Sequence, residues 1–185
     1  MIKRKEGFTL LEIMVVIIII GVLSVMAVSY YERALERVRT AEVIQLFGST
    51  LSAQERFRLK RDRYAHQWNL LDVAPMGVFD IVNNPKYANA DKTHFYTNGS
   101  GGESSFRPGF DVYFEEIGGS WFIVAERIGW GGYKYTFVRE FESPITFCLP
   151  KEEHVDSANM CADVMGVDGP ESLPADPRIA AARGG

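Results

Sequence analysis

Apolar and polar positions change their spacing twice along the chain. From Phe8 to Val28 (FTLLEIMVVIIIIGVLSVMAV) the residues are almost all apolar. Twenty-one residues at about 1.5 Å per residue cover roughly 30 Å of helix, the thickness of a bilayer core. Helix formers then continue to about Arg63, with no proline between Phe8 and Tyr64 and only Gly21 and Gly48 as interruptions. The pattern predicts one helix of about 55 residues, roughly 80 Å long. Its second half lacks a clean stripe. Ala34, Val38 and Ala41 share one side, while Val43, Leu46, Phe47, Thr50 and Phe57 cluster on another. One face fits a sheet of the same chain, and the other fits a second partner. Residues 64–109 are poorly periodic. They carry Pro75, Pro85, Pro108 and a Gly-Ser-Gly-Gly stretch at 99–102, and read as a variable loop with a short strand at His94–Thr97. Alternation then becomes strand-like in Asp111–Ile117, Trp121–Ile128 and Tyr133–Phe141, joined by Gly118-Gly119 and by Gly129-Trp130-Gly131-Gly132. A fourth strand is expected around Ile145–Leu149. The fold class is α+β: a long N-terminal helix packed on a small antiparallel meander.

Charge sharpens this picture. The net charge is −4. Residues 1–7 carry Lys3, Arg4, Lys5 and Glu6; residues 32–63 hold eight basic and five acidic side chains; residues 64–185 hold nine basic and seventeen acidic ones. A basic stalk on an acidic head is a polarity that helps subunits stack. An acidic head is the wrong sign for nucleic acid, and no nucleic-acid partner is expected. The positive N-terminal residues should stay in the cytoplasm, with Tyr30 and Tyr31 at the far interface. One charge lies inside the apolar run. Glu12 would be costly in hydrocarbon unless it is protonated or meets a partner.

Read together, Lys3-Arg4-Lys5-Glu6-Gly7-Phe8-Thr9-Leu10-Leu11-Glu12 closely resembles the prepilin signature of the type IV pilin and pseudopilin superfamily. The motif covers about the first thirty residues; a long helix followed by a small sheet is a looser likeness over most of the chain. The resemblance implies cleavage between Gly7 and Phe8 by a membrane prepilin peptidase, with N-methylation of the new Phe8 amine. It also implies pairing of that cation with Glu12 of a neighbouring copy in the filament core, so that a buried polar pair sets register. In the family a glycine at the position of Gly21 lets the helix loosen during packing; close helix approach in a membrane is the other reading. Many relatives have proline eight residues later, where this chain has Ser29. The partners implied are further copies of the chain, the peptidase, the pilus assembly machinery and the inner membrane before assembly.

Cys148 and Cys161 bracket twelve residues. Outside the cytoplasm such a pair is expected to close a disulfide, contributing about 3 kcal/mol in the chain-entropy view; free thiols or an intersubunit bridge are the alternatives. The run from Arg56 to Arg63 reads as cations favoured at a helix C-terminus. Asp163, Asp168, Glu171 and Asp176 could bind calcium but lack EF-hand spacing, so no metal or other cofactor is expected. His66, His94 and His154 sit in unlike contexts, and no catalytic fingerprint occurs. The organisation expected is a leader at 1–7, a membrane and assembly helix at 8–28, and the rest of the long helix at 29–63. The variable loop follows at 64–109, the sheet head with a disulfide-closed loop at 110–165, and a tail at 166–185. The function expected is a non-enzymatic pilus subunit, membrane-anchored and then extracellular. A periplasmic type II secretion pseudopilin is the alternative, and a signal-anchored periplasmic enzyme the rival from another class.

Overall fold

A computed structural model of the chain describes residues 9–73, 77–78, 93–97, 109–128, 132–151 and 155–183. Residues read from sequence as the cleavage site (Gly7, Phe8), the Gly129–Gly131 part of the second hairpin turn and His154 lie outside them. Helix α1 runs from Leu10 to Arg61. The chain divides into two compact units, Met1–Val38 and Arg39–Gly185. In the first, every described side chain from Thr9 to Ala34 is exposed.

In the second unit, α1 shows one buried stripe. Val43, Phe47, Thr50, Ala53 and Gln54 recur at three- and four-residue intervals, the period of a helix face lying on a core. Ala41 and Ile44 on the other side stay exposed, matching the two-sided pattern of the sequence. No glycine or proline stops the helix. It ends because Asp62 takes a left-handed conformation (φ 56°), and its N–H donates to the Arg58 carbonyl at 2.8 Å. The chain then reverses and is clasped by Gln54. The Gln54 amide donates to Ala65 O (2.9 Å) and accepts from Ala65 N–H (2.8 Å), so a buried polar side chain is satisfied by backbone. A 3-10 turn at Trp68–Leu70 sends Trp68 into the core.

The sheet has six antiparallel strands in sequence order: β1 (Gly77–Val78), β2 (His94–Thr97), β3 (Phe110–Ile117), β4 (Ser120–Arg127), β5 (Tyr135–Glu140) and β6 (Thr146–Pro150). The β3–β4 register pairs Val112 with Ala125 and Phe114 with Ile123, placing these residues on the face that carries the main core with Val43 and Phe47. Phe110, Tyr135, Phe137 and Cys148 share that core. The sequence reading placed one face of the sheet on the long helix; β4 is buried on the other face as well. Phe122, Val124 and Val138 form a second apolar cluster with Tyr113, Ile117, Leu149 and Ala181. The unbroken run Phe122-Ile123-Val124-Ala125 is what a strand covered on both faces requires.

The cover on the second face includes the C-terminal tail. Helix α2 (Val155–Met165) begins inside the disulfide-closed segment and continues beyond Cys161, a 3-10 turn follows at Pro170–Ser172, and α3 (Pro177–Arg183) ends the described chain. Arg178 latches α3 to the sheet, bonding Glu115 at 3.0 Å and Asp176 at 2.7 Å. Ala181 sits so close to the β3–β4 turn that a Cβ on Gly118 (φ 58°) would overlap the Ala181 carbonyl oxygen, so glycine is required there twice over. Burial acts to raise the Asp176 pKa, but the side-chain and backbone hydrogen bonds of Arg178 outweigh it and hold the carboxyl below its ordinary 3.8. A carboxyl with a depressed folded pKa stabilises fully above the unfolded value, and that contribution is lost as pH falls below it. Amide exchange at Ile179–Ala181 is therefore expected to rise as pH drops below 3.8, ahead of exchange in β4, after correction for intrinsic rates. Equal protection of α3 and β4 down to global unfolding would show that the latch is not what holds the tail.

Thr50 supplies a second stability test. Its Oγ1 is buried and has no hydrogen-bond partner among the described residues. A buried polar atom left unpaired costs free energy that an isosteric methyl does not. Thr50→Val is expected to raise the stability of the full chain in micelles by about 1 kcal/mol, read by urea unfolding.

Candidate functional site

The N-terminal stretch of α1 gathers the motif residues. Thr9 precedes the first helical residue and acts as its cap: the Glu12 N–H donates to Thr9 Oγ1 at 3.3 Å and to Thr9 O at 3.1 Å. Thr-x-x-Glu is the spacing of a capping box, which the sequence reading did not use. Glu12 therefore sits in the first turn, where the positive end of the helix dipole favours a carboxylate. Its side chain is exposed and has no partner among the described residues.

Around Glu12 the surface is apolar on every side. Leu10 and Leu11 are 78% and 72% exposed, and all large apolar residues on to Val28, with Tyr30 and Tyr31, are exposed as well. By length and composition this helix could cross a membrane. Its backbone groups are paired internally, as hydrocarbon demands. Gly21 lies within α1, and a Cβ there would meet nothing within 4 Å, so no contact inside the described chain calls for a glycine. Ser24 and Ser29 bond back to the carbonyls of Ile20 (2.7 Å) and Met26 (3.0 Å), which removes their hydroxyls from the apolar surface.

The remaining sequence candidates lie in the second unit. Cys148 on β6 and Cys161 in α2 form a disulfide (Cα–Cα 5.2 Å), fully buried in the main core. The segment it closes carries the first part of α2, and Met160, Cys161 and Ala162 of that helix are buried. The tail acids Asp163, Asp168, Glu171 and Asp176 do not converge. Among the described residues no three His, Cys, Asp or Glu side chains are grouped to hold a metal, and Asp176 serves Arg178 instead. His94 Nδ1 lies 2.8 Å from Asp111 Oδ1 across β2 and β3. The cationic run splits in two. Arg56 forks onto Asp72 (2.7 and 2.9 Å), and this hydrogen bond lowers the Asp72 pKa. Arg58 bonds Glu142 (2.9 Å) and Tyr64 Oη (3.0 Å), whereas Lys60, Arg61 and Arg63 remain exposed.

A capped apolar helix bearing one early carboxylate, in a chain whose head is a disulfide-tied antiparallel sheet on a helix, is an arrangement of the pilin-like α+β class. The comparisons agree. Residues 2–28 match the prokaryotic N-terminal methylation motif. The chain is 33% identical over 72 residues to the type IV major pilin protein PilA of Myxococcus xanthus (strain DK1622), a match covering 39% of this chain and 33% of that protein. It thus spans about a third of the length of that relative. No solved structure matches the chain. Motif, relative and fold together support the type IV pilin and pseudopilin superfamily as the family of this protein.

Proposed function

We propose that the chain is a structural subunit of a type IV pilus, processed between Gly7 and Phe8, methylated on Phe8, and polymerised with copies of itself through residues 8–28. The observation that carries this reading is the exposed, all-round apolar surface from Leu10 to Val28 with Glu12 at its start. Burying such a surface gains about 25 cal/mol per Å², and lipid before assembly and neighbouring helices afterwards offer equivalent environments. The helix can therefore leave the inner membrane for a filament core without exposing apolar area to water. Glu12 breaks this equivalence. In the core it meets the Phe8 ammonium of a neighbour, so that only one register satisfies both charges.

Two features favour a pilus over a periplasmic pseudopilus. The head is closed by a disulfide, and the chain's relative is named a major pilin. The assignment is tested by intact mass and N-terminal sequencing of material sheared from cells. A chain beginning with N-methylated Phe8 in the filament fraction is the expected result. Processed chain confined to the envelope supports the pseudopilin reading. A chain still beginning at Met1, with the peptidase present and active, overturns both.

A further inference from the structure

Two stretches of the second unit carry charge that the chain itself does not balance. The first is the C-terminal end of α1. Of its cations, Arg56 is held by Asp72, and Arg58 by Glu142 and Glu55. Lys60, Arg61 and Arg63 are exposed, and none has a carboxylate partner among the described residues. The helix dipole favours cations in the last turn, but Arg63 lies beyond the helix end at Arg61. The second stretch is α2 with the turn that follows it. From Val155 to Pro177 the sequence holds five carboxylates and no Lys, Arg or His. Asp176 is held by Arg178. Asp156, Asp168 and Glu171 are exposed and have no cationic partner among the described residues.

The sheet keeps the end of α1 away from the start of α2. The end of α1 lies at the β3–β4 hairpin end, where Arg58 and Tyr64 Oη bond Glu142 and the Tyr64 ring packs on Trp121 and Phe141. Helix α2 starts at the opposite end, where the N–H of Lys134, the residue before β5, donates to Ser157 Oγ at 2.6 Å. It then meets β6 through the Cys148–Cys161 bridge. Strands β3 and β4, eight residues each, put roughly 25 Å between the two ends. Lys60 is therefore out of reach of Asp156 in its own copy, whereas a second copy presents the same carboxylates without that constraint. A contact between unlike surfaces of identical chains is heterologous. Each copy added leaves one surface of each sign free, so growth stays open and gives a fibre unless the rotation closes a ring. Single exposed ion pairs contribute little, and complementary charge acts chiefly on encounter and register.

We propose that the Lys60, Arg61 and Arg63 end of α1 in one copy docks on the acidic surface along α2 and its following turn in the next copy. The inference rests on the polymerisation reading and adds to it an electrostatic interface outside residues 8–28. It is tested in cells on the full chain by exchanging charge. Lys60→Glu with Arg63→Glu, and Asp168→Lys with Glu171→Lys, are made separately and then together. Asp156 is left in place, because a carboxylate in the first turn also supports α2. Either reversal alone is expected to lower the yield of sheared filament by about tenfold, with processed, disulfide-closed chain accumulating in the membrane. The combined variant should recover most of the yield, which a purely structural role of these residues would not produce. Wild-type yield from either reversal overturns the proposal. Loss in both without recovery on combination overturns it too, and gives the cations a different anionic partner. Where a reversed chain fails to close its disulfide, carbodiimide coupling of wild-type filaments decides. A dimer joining Lys60 to a carboxylate within residues 155–172 is expected, and its absence overturns the contact while the filament reading stands. Wild-type chain absent from every polymer fraction would instead overturn the polymerisation reading, and this contact with it.

Discussion

Glu12→Ala is expected to leave processing at Gly7–Phe8 intact while removing the chain from the sheared filament fraction. The reasoning begins with the surface around the residue. Glu12 has an exposed side chain in a helix whose apolar residues are exposed on all sides, so any assembly that buries this helix also buries the carboxylate. In the proposed filament it is opposed by the neighbour's methylated amine. Removing one partner of a buried pair leaves the other uncompensated, at a cost of about 3–5 kcal/mol per interface. That penalty recurs at each subunit added, so polymerisation should fail rather than slow slightly. The apolar helix remains intact in the variant, and membrane-inserted monomer should accumulate. The measurement is the ratio of processed chain in the sheared and membrane fractions. Wild-type filament yield from Glu12→Ala would mean that the carboxylate serves only as the acidic end of its own helix cap.

Trp68→Ala should be the most destabilising single change in the head, lowering stability by about 3–5 kcal/mol. Trp68 is 1% exposed, stacks on Phe114 (4.7 Å) and packs at a tilt against Phe95 (5.2 Å). Its Nε1–H donates to the Val112 carbonyl at 3.2 Å. The substitution opens a large cavity between the turn after α1 and strands β2 and β3, and strips a buried acceptor of its donor. Urea unfolding of the full chain in micelles, followed by near-UV signals, measures the loss. A change under about 1 kcal/mol would mean that the surrounding aromatic rings collapse to fill the space.

Trp68 also marks where sequence reasoning reaches its limit. The apolar run, Glu12, the helix, the strands around Tyr113, Val124 and Phe137 and the Cys148–Cys161 bridge were legible, because each rests on a local period, a motif or a residue pair. The segment after Arg63 has no such period. Its key side chain is buried by contacts reaching forty-four positions along the chain, to Val112. The end of α1 lacked a glycine or proline to announce it and falls at Arg61, since Asp62 adopts the left-handed cap itself. The Gln54 clasp on Ala65 is invisible for the same reason: a glutamine on a buried stripe is known as a clasp only once the chain has reversed. Helix α2 had a readable signal in Met160 and Val164, four positions apart, but the pair of Cys148 before it and Cys161 inside it suggested a closed loop. No local pattern in the tail announces where it docks. Arg178 and the glycine turn at Gly118 decide for docking through contacts that only the sheet brings together.

The strand order bears on how the head acquires its structure. Each strand pairs with the next in sequence, from β1 through to β6, with no crossover. From β3 to β6 ladder formation can therefore proceed by successive hairpin closures across short connections, each with a small entropic barrier, whereas the connections from β1 to β2 and from β2 to β3 are longer and cost more to close. The disulfide spans only thirteen positions and closes beside the last strand, so it can seal a sheet already in place instead of selecting among distant pairings. A head built this way can complete folding while its N-terminus is still held in a bilayer, because no step requires the tethered end to move through the sheet.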